Sequence, residues 1–275
     1  LEKGARRNSL LICLGGGVVS DLGGFAAATF KRGISYINVP TSLIGQGDAA
    51  IGGKTGINVA GIKNQAGVFY DPKAVYVIPE FLKTLPDNHF RAGLAEIIKC
   101  AALSGNRLLN KIKHCKFRED HEISELLFQT IYFKCCIVAE DPLDQSVRKQ
   151  LNFGHTIGHA LESLYNRPGF QGMLHGEAVA AGMLCEAYLS SEINGLDIQH
   201  RDEISFVVMD HFHAEPIGEE YFEELLKLIE TDKKRTSGSP DFSLLSSVGH
   251  PLINCKANRE LIFKSFRYHN LICEK

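Results

Sequence analysis

The segment Leu-Leu-Ile-Cys-Leu-Gly-Gly-Gly-Val-Val at residues 10–19 has the pattern of a buried strand, a tight glycine loop and the first turn of a helix. Glycine lets the backbone approach a bound group, and the amides at a helix N-terminus attract phosphate. The pattern therefore predicts a nucleotide site in an α/β region. A loop that packs only against its own helix is the alternative, because Ser20 replaces the last glycine of GxGxxG and no acidic residue follows near Val39 to bind a ribose.

Outward from this segment, strands are predicted at residues 9–14, 36–39 and 74–78, whereas helical spacing dominates at 91–103, 123–138, 154–164 and 177–190. We therefore predict an α/β nucleotide-binding domain over residues 1–84 and an all-α metal- and substrate-binding domain over 85–275. A doubly wound sheet normally has more than three strands, so we expect the first domain to lack residues upstream.

Composition excludes several classes of protein. The 275 residues are 44% hydrophobic, and 30 basic and 32 acidic side chains are spread along the chain without a basic block, so nucleic acid is not expected as a partner. The apolar runs are too short to span a bilayer, which predicts a soluble, cytoplasmic protein. None of the eight cysteines forms a CxxC pair, so we expect buried, reduced thiols.

The glycine-rich stretch at residues 48–67 contains Lys54, Lys63 and Asn64, which suit an oxyanion-rich ligand. It is not a Walker loop, because Asp48 stands where that motif requires its first glycine. Plain surface loops remain an alternative. Upstream, Asp21 and Arg32 share a helix face only if that helix is continuous, and otherwise a solvated ion pair would explain them.

Several candidate metal ligands are spaced along the second half of the chain. His155 and His159 are four residues apart on a predicted helix, and His175 starts an Ala-rich helix. Glu96 lies three residues before Lys99 among apolar neighbours, where an unpaired charge would be costly. Two imidazoles and one carboxylate form a catalytic zinc set. The alternative is that each histidine is separately satisfied by hydrogen bonds.

Together these strings resemble the 3-dehydroquinate synthases, from about residue 9 to residue 266. The strings that carry the resemblance occur in family order at residues 15–21, 40–43, 48–58, 63–64, 92–99, 148, 152–159 and 175–177. Among them are Gly-Gly-Gly-Val-Val-Ser-Asp at 15–21 and Asn-Phe-Gly-His-Thr-Ile-Gly-His at 152–159.

The resemblance implies a role for particular residues. Zinc, or cobalt in its place, would be bound by Glu96, His155 and His175. The NAD site would be formed by Gly15, Gly16, Gly17, Asp21, Thr41, Ser42, Asp48, Lys63 and Thr84. The substrate's carboxylate, hydroxyls and phosphate would be bound by Arg32, Lys54, Asn64, Lys99, Lys134, Arg148, Asn152, His159 and Lys234. Such a ligand needs several cations to replace its water.

The resemblance also implies an activity, the closure of 3-deoxy-D-arabino-heptulosonate 7-phosphate into 3-dehydroquinate in the shikimate pathway. NAD would oxidise a ring hydroxyl, phosphate would be eliminated, the hydride would return, and ring opening with an aldol step would follow. His159 would transfer protons rather than bind the metal. The family further suggests a homodimer and a small-molecule substrate.

The sequence departs from the family pattern at a few places. Asp144 stands four residues before Arg148, where many members carry glutamate, so a proton-handling role there would use a shorter side chain. Residues 235–242 differ from the usual pattern after Lys234. Three other functions stay open: another sugar phosphate cyclase, an NAD- and metal-dependent polyol dehydrogenase, and a non-catalytic remnant.

Overall fold

A computed structural model describes residues 4–59, 62–113, 115, 120–232 and 240–274; the side chains at 62, 63, 120, 121 and 232 lie outside that description. The chain divides by its contacts into two compact units. Unit 1 comprises Leu1–Gly93 with Lys116–Asp144, and unit 2 comprises Leu94–Cys115 with Gln145–Lys275. The domains predicted at 1–84 and 85–275 stay a prediction; the units differ from them because a helical segment later in the chain packs with the first part.

Unit 1 begins with a strand, a glycine loop and a helix, as predicted. Its first segment contains β1 (Leu10–Gly15), α1 (Gly17–Thr29), β2 (Ser35–Pro40), β3 (Lys54–Val59), β4 (Ile62–Phe69) and the start of α2 (Asp87–Ser104). Its second segment contains α4 (Asp120–Glu140). A π-helical turn occupies Gly45–Ala49, and 3-10 turns occupy Phe30–Arg32 and Pro79–Thr84.

β1 and β2 pair in parallel, with Leu10 opposite Ser35 and Gly15 opposite Pro40. The inward face of this pair is covered by α1, and a small core of Cys13, Ala27 and Tyr36 forms there. The outward face of β1 is not covered, since Leu10, Ile12 and Leu14 are 53%, 59% and 59% exposed. Alternation along the strand therefore separates a buried face from an apolar exposed face.

One local prediction in unit 1 was wrong, and one alternative that the sequence left open is decided. Residues 74–78 do not form a strand, although Val75 makes a single parallel bridge to Asn38 and two backbone hydrogen bonds join this segment to β2. Helix α1 ends at Thr29, and Lys31 and Arg32 adopt positive φ angles of 50° and 67°. Arg32 is therefore beyond the helix and does not continue the helical face of Asp21.

An antiparallel hairpin, β3–β4, occupies most of the glycine-rich stretch at residues 48–67, where no strand was predicted and surface loops were an alternative. The hairpin escaped the pattern analysis because glycines interrupt its alternation: a Cβ on Gly67 would lie 2.4 Å from the carbonyl oxygen of Thr55 on the facing strand. Glycine is thus required here by the close approach of the two backbones.

Unit 2 is mainly helical, as predicted. It contains the remainder of α2 and then α3 (Asn106–Lys113), α5 (His155–Tyr165), α6 (His175–Asn194), α7 (Ile198–His211), α8 (Phe222–Asp232) and α9 (Arg259–Cys273). The prediction of an all-α second domain missed one antiparallel hairpin, β5 (Phe242–Ser247) with β6 (His250–Cys255). Two more 3-10 turns occupy Val147–Asn152 and Glu219–Tyr221.

The core of unit 2 is built around α6, which is buried along most of its length. Its Ala-rich sequence lets α5, α7, α9 and β5 all pack against it. At its start, the Glu177 carboxylate accepts a hydrogen bond from the backbone N–H of Leu174 at 2.8 Å. At its end, Gly195 adopts a φ of 73°, the usual glycine conformation after a helix C-terminus.

The sequence also predicted that no segment spans a membrane and that the cysteines are buried and reduced. Among the helices that the structure describes, none combines the length and the apolar character needed to span a bilayer. All eight cysteines carry free thiols; Cys13, Cys100 and Cys185 are buried as expected. The expectation of burial was wrong for Cys135 and Cys136, which are exposed on α4.

Candidate metal centre and nucleotide site

Close packing of α5 on α6 brings three histidines together. A Cβ on Gly182 of α6 would lie 2.0 Å from the carbonyl oxygen of Gly154, and a Cβ on Gly158 would lie 2.9 Å from the carbonyl oxygen of Ala178. Only glycine permits this approach, since both contacts are with backbone atoms. The two helices therefore meet backbone to backbone along the first turn of α5 and the N-terminal half of α6, the segments that carry the histidines.

The N-terminus of α5 is capped by a buried side chain from α6. Gly154, the N-cap residue, has a left-handed φ of 79° and offers no side chain for capping. The Glu186 carboxylate instead accepts hydrogen bonds from the backbone N–H groups of Gly154 at 2.7 Å and Ile157 at 3.1 Å. A carboxylate at a helix N-terminus also interacts favourably with the helix dipole. This contact fixes the first turn of α5, which begins with His155.

One carboxylate oxygen faces two imidazoles. Glu96 Oε1 lies 3.4 Å from His155 Nε2 and 3.6 Å from His175 Nε2. These distances exceed those of normal hydrogen bonds, and this buried oxygen has no hydrogen-bond partner among the described residues. A buried anionic oxygen facing two imidazole nitrogens is the arrangement expected around a cation.

The other oxygen of Glu96 is paired with Lys99, one turn further along α2. The Lys99 ammonium donates to Glu96 Oε2, and both side chains are almost fully buried. Burial alone would raise the pKa of Glu96, but the charge of Lys99 and contacts with His155 and His175 outweigh it and hold the pKa well below its ordinary value. Glu96 is therefore an anion. The sequence-based requirement that a partner compensate Glu96 is confirmed, and Lys99 is that partner.

The two imidazoles differ in their electrostatic environment. Burial and the nearby Lys99 charge lower the pKa of His155 to about 4. Burial also lowers the pKa of His175, but the hydrogen bond with Glu162 and the negative charge of Glu96 reverse the effect and raise it to about 9. Metal binding would require the neutral form of each ring at Nε2. His155 already has that form at neutral pH, whereas His175 would exchange a proton for the ion.

His159 is a third imidazole at the same place. One ligand atom from each of His155, His159 and His175 lies within 4.8 Å of the others, and the ring of His159 is 5.3 Å from that of His155. His159 is exposed, unlike the deeply buried Glu96. By geometry alone, three imidazoles could bind an ion as well as two imidazoles with Glu96.

In unit 1 the glycine loop lies at the junction of β1 and α1. The Thr41 N–H donates to the carbonyl oxygen of Gly15 at 2.9 Å. A Cβ on Gly16 would lie 3.2 Å from Ser42 Oγ, and one on Gly17 would lie 3.1 Å from Ala49 Cβ. Small residues therefore allow the segment after β2 to pack against the loop and bring Ser42 beside it.

A cluster of charged side chains lies close to this glycine loop. Lys134 of α4 donates to both the carbonyl and the carboxylate oxygen of Asp48, each at 2.6 Å. Burial and the charge of Asp48 raise the pKa of Asp21 to about 6, and Lys134 opposes that shift. Asp21, Asp48 and Lys134 thus form one electrostatic cluster, although the family resemblance implies substrate binding for Lys134 and NAD binding for the two aspartates.

A second ion pair joins Lys54 of β3 to Asp144. Lys54 Nζ lies 2.6 Å from Asp144 Oδ2, and Asp144 holds a positive φ of 56°. Asp144 Oδ1 is buried without a hydrogen-bond partner among the described residues. In the same hairpin, Asn64 is exposed, and its N–H donates to Asn58 Oδ1 at 3.0 Å. Lys54 and Asn64 are both exposed and can contact a ligand from solvent.

The remaining candidates are less informative. Arg148 is buried and Asn152 is half-buried in the 3-10 turn of unit 2 before α5. Thr84 is exposed, and its hydroxyl donates to Phe81 of its own turn at 3.5 Å. Lys234 lies outside the described residues, as does the side chain of Lys63. Their proposed roles stay predictions.

Two buried carboxylates of this site, Glu162 and Glu186, were not predicted from the sequence. Glu162 could have been found from its spacing, since positions 155, 159 and 162 share one face of a helix. Glu186 gave a weaker signal, an acidic residue inside the apolar run of α6. The partner of Glu186 is a backbone terminus on another helix, which no local pattern indicates.

Comparisons with known proteins agree with this description. The chain matches the family models for the 3-dehydroquinate synthase N-terminal region over residues 1–92 and C-terminal region over residues 93–235. It is 42% identical to the 3-dehydroquinate synthase of Parabacteroides distasonis over 275 aligned positions, which cover 98% of this chain and 76% of that protein. With the enzyme of Rippkaea orientalis, the identity is 37% over 281 positions, covering 98% and 75%.

A solved structure gives the fold. The 2-epi-5-epi-valiolone synthase of Streptomyces hygroscopicus superposes with a TM-score of 0.86 at 24% identity, over 98% of this chain and 75% of that one. The chain thus has the fold of the sugar phosphate cyclases. Within that class, it belongs to the family of the 3-dehydroquinate synthases.

Proposed function

We propose that the chain converts 3-deoxy-D-arabino-heptulosonate 7-phosphate to 3-dehydroquinate with release of phosphate, a carbon–oxygen lyase reaction of the shikimate pathway. Membership of the family supports the reaction. The single structural observation that carries it is the buried oxygen of Glu96 facing two imidazoles. The substrate is a small molecule, and we place the reaction in the cytoplasm.

We propose Glu96, His155 and His175 as ligands of a zinc ion, or of cobalt in its place. The donor set fits, because Oε1 of Glu96 is anionic, buried and aimed at both Nε2 atoms while Lys99 pairs with the other oxygen. Two imidazoles and a carboxylate are a common catalytic zinc set. A divalent ion there would polarise a substrate oxygen and lower the pKa of a bound hydroxyl.

We assign His159 to proton transfer. It shares a helix face with His155, and its ring is exposed, so it can meet a substrate that His155 cannot. Histidine suits this role because its ordinary pKa is close to neutral pH. Its closeness to the other rings makes three-imidazole coordination the competing assignment.

We assign NAD to unit 1. The backbone amides at the start of α1 follow β1 directly and are not capped by a side chain, which suits a pyrophosphate. We assign Thr41, Ser42, Asp21, Asp48, Lys63 and Thr84 to the same cofactor. Among these residues, Ser42 has the strongest support for a place in the NAD site, because its hydroxyl lies against the glycine loop.

For the substrate we propose cations with hydrogen-bonding partners. Lys54 with Asp144 is the best supported pair, since Lys54 is half exposed and Asp144 keeps one oxygen without a partner among the described residues. A lysine in such a pair can bind a phosphate oxygen while the aspartate exchanges a proton. The other proposed substrate residues are Arg32, Asn64, Lys99, Lys134, Arg148, Asn152 and Lys234.

The reaction is tested by measuring inorganic phosphate from 3-deoxy-D-arabino-heptulosonate 7-phosphate. We expect release that needs both NAD and a divalent metal, that stops with a chelator, and that returns with added zinc or cobalt. No net NADH should accumulate, since the hydride is returned within each turnover. NADH accumulating from a simple polyol, without phosphate release from the sugar acid, would instead identify a dehydrogenase.

A further inference from the structure

The His175 ring is flanked by carboxylates on both sides. Its Nε2 faces Glu96 Oε1 at 3.6 Å, and its Nδ1 lies 3.0 Å from Glu162 Oε2. The Glu162 side chain is 8% exposed. The shorter contact has hydrogen-bond length, so the ring is oriented from the Glu162 side.

His155 is held in a parallel way by a different acceptor. Its Nδ1 lies 3.2 Å from the carbonyl oxygen of Phe153, and its Nε2 faces the same oxygen of Glu96 at 3.4 Å. In both rings, therefore, Nδ1 contacts an acceptor and Nε2 points at Glu96. Histidines that bind metals commonly donate their second ring N–H to a carboxylate or a carbonyl in this manner.

Helix geometry explains why Glu162 reaches His175. Residues 155, 159 and 162 are spaced by four and three positions, so they lie along one face of α5. His175 is the first residue of α6, which packs against that face. A single α5 face thus carries two of the clustered imidazoles and the carboxylate that contacts the third.

We propose that Glu162 is a positioning residue that accepts the Nδ1–H of His175 and so directs its Nε2 toward the ion. The proposal rests on the metal site of the proposed function. A charged acceptor at Nδ1–H makes Nε2 a stronger electron-pair donor to the metal ion than a neutral carbonyl acceptor does. His155, with its backbone acceptor, has no such side chain to mutate, so the effect is specific to His175.

The test measures zinc affinity by competition with a chelating dye, after the metal has been removed from the purified protein. Glu162→Ala should weaken zinc binding by about 10- to 100-fold, the range found for outer-shell partners of metal ligands. Glu162→Gln should lose about tenfold, because its amide oxygen still accepts the Nδ1–H but lacks the charge that strengthens this contact. The control is Glu192→Gln, which removes an exposed charge from α6 and should leave zinc affinity unchanged.

A second readout is the visible absorption of the cobalt-substituted protein, which reports the geometry of the ligand set. Glu162→Ala should shift this spectrum, and Glu192→Gln should not. If wild type binds metal and releases phosphate while both Glu162 variants keep its zinc affinity and cobalt spectrum, the inference is overturned and the proposed function stands. If wild type binds no divalent metal, both fall together. Should Glu162→Ala not fold, unchanged affinity and spectrum in Glu162→Gln would still refute the inference.

Discussion

The two units of the chain place their functional groups in opposite surroundings. In unit 2 the metal candidates rest on a packed core, in which Ile157, Leu161 and Cys185 are fully buried. In unit 1 the glycine loop follows a strand whose Leu10, Ile12 and Leu14 are more than half exposed. Substitutions at the site of unit 2 should therefore disturb folding and metal binding together, whereas those in unit 1 should affect ligand binding with little loss of stability.

The largest contrast should come from one substitution made in each unit. Gly182→Ala would place a methyl group 2.0 Å from the carbonyl oxygen of Gly154, so we expect a loss of about 3 kcal/mol or more in the free energy of unfolding. Gly17→Ala meets only the Ala49 methyl, at 3.1 Å, and should cost less than about 1 kcal/mol. Chemical denaturation of both variants measures the difference; equal losses would contradict the contrast.

Glu186→Ala should be nearly as damaging within unit 2. The variant leaves the N–H groups of Gly154 and Ile157 without their buried acceptor, which should cost about 3 kcal/mol. Zinc affinity should also fall, because His155 follows the uncapped turn directly. Glu192→Ala, an exposed change on the same helix, should cost less than about 0.5 kcal/mol. A mild effect of Glu186→Ala would mean that α5 does not depend on this cap.

Asp21→Asn tests unit 1 through pH. The folded-state pKa of about 6 lies above the ordinary 3.8, so the folded chain binds more protons between these values and its stability falls as pH rises through them. Asparagine does not ionise, so the variant does not lose stability in this way as pH rises. It should exceed wild type by about 1–2 kcal/mol above pH 6, allowing for partial solvent screening, and the gain should vanish below pH 4. Thermal melts at pH 4 and pH 7.5 decide; a gain independent of pH would contradict this account of Asp21.

The smallest effect on stability is expected at Lys54. The Lys54 side chain is 51% exposed, so losing its ion pair with Asp144 in Lys54→Ala should change the free energy of unfolding by less than about 1 kcal/mol. Phosphate release should nevertheless fall strongly if Lys54 binds the substrate. Lys73→Ala, another exposed lysine of unit 1, is the control and should alter neither quantity. Normal turnover by Lys54→Ala would remove Lys54 from the proposed site.

Sequence patterns predicted the elements that carry their own periodicity. The helices containing Glu96, His155 and His175 all formed where helical spacing placed them, and the β1–α1 junction formed at the glycine loop. Each of these signals is local, because it depends on residues within a few turns of one another. The grouping of Glu96 with two distant histidines came from the family resemblance, and the distances to Glu96 fit it.

What the sequence did not predict depends on contacts between distant segments. The β3–β4 hairpin was hidden because glycines replace the alternating side chains that usually indicate strands. The roles of Glu162 and Glu186 depend on α5 and α6 meeting at Gly182, which no single helix pattern reveals. Cys135 and Cys136 were expected inside, but the exposed face of α4 carries them.

The most direct test of the metal centre compares zinc affinity in His155→Ala and His159→Ala. His155→Ala should weaken zinc binding by more than about 100-fold, beyond the range of an outer-shell residue. His159→Ala should keep zinc affinity and lose about 10²- to 10⁴-fold in the rate of phosphate release, as expected for a proton-transfer group. Equal loss of zinc in the two variants would show that the three imidazoles bind the ion, and would contradict the assignment of Glu96, His155 and His175.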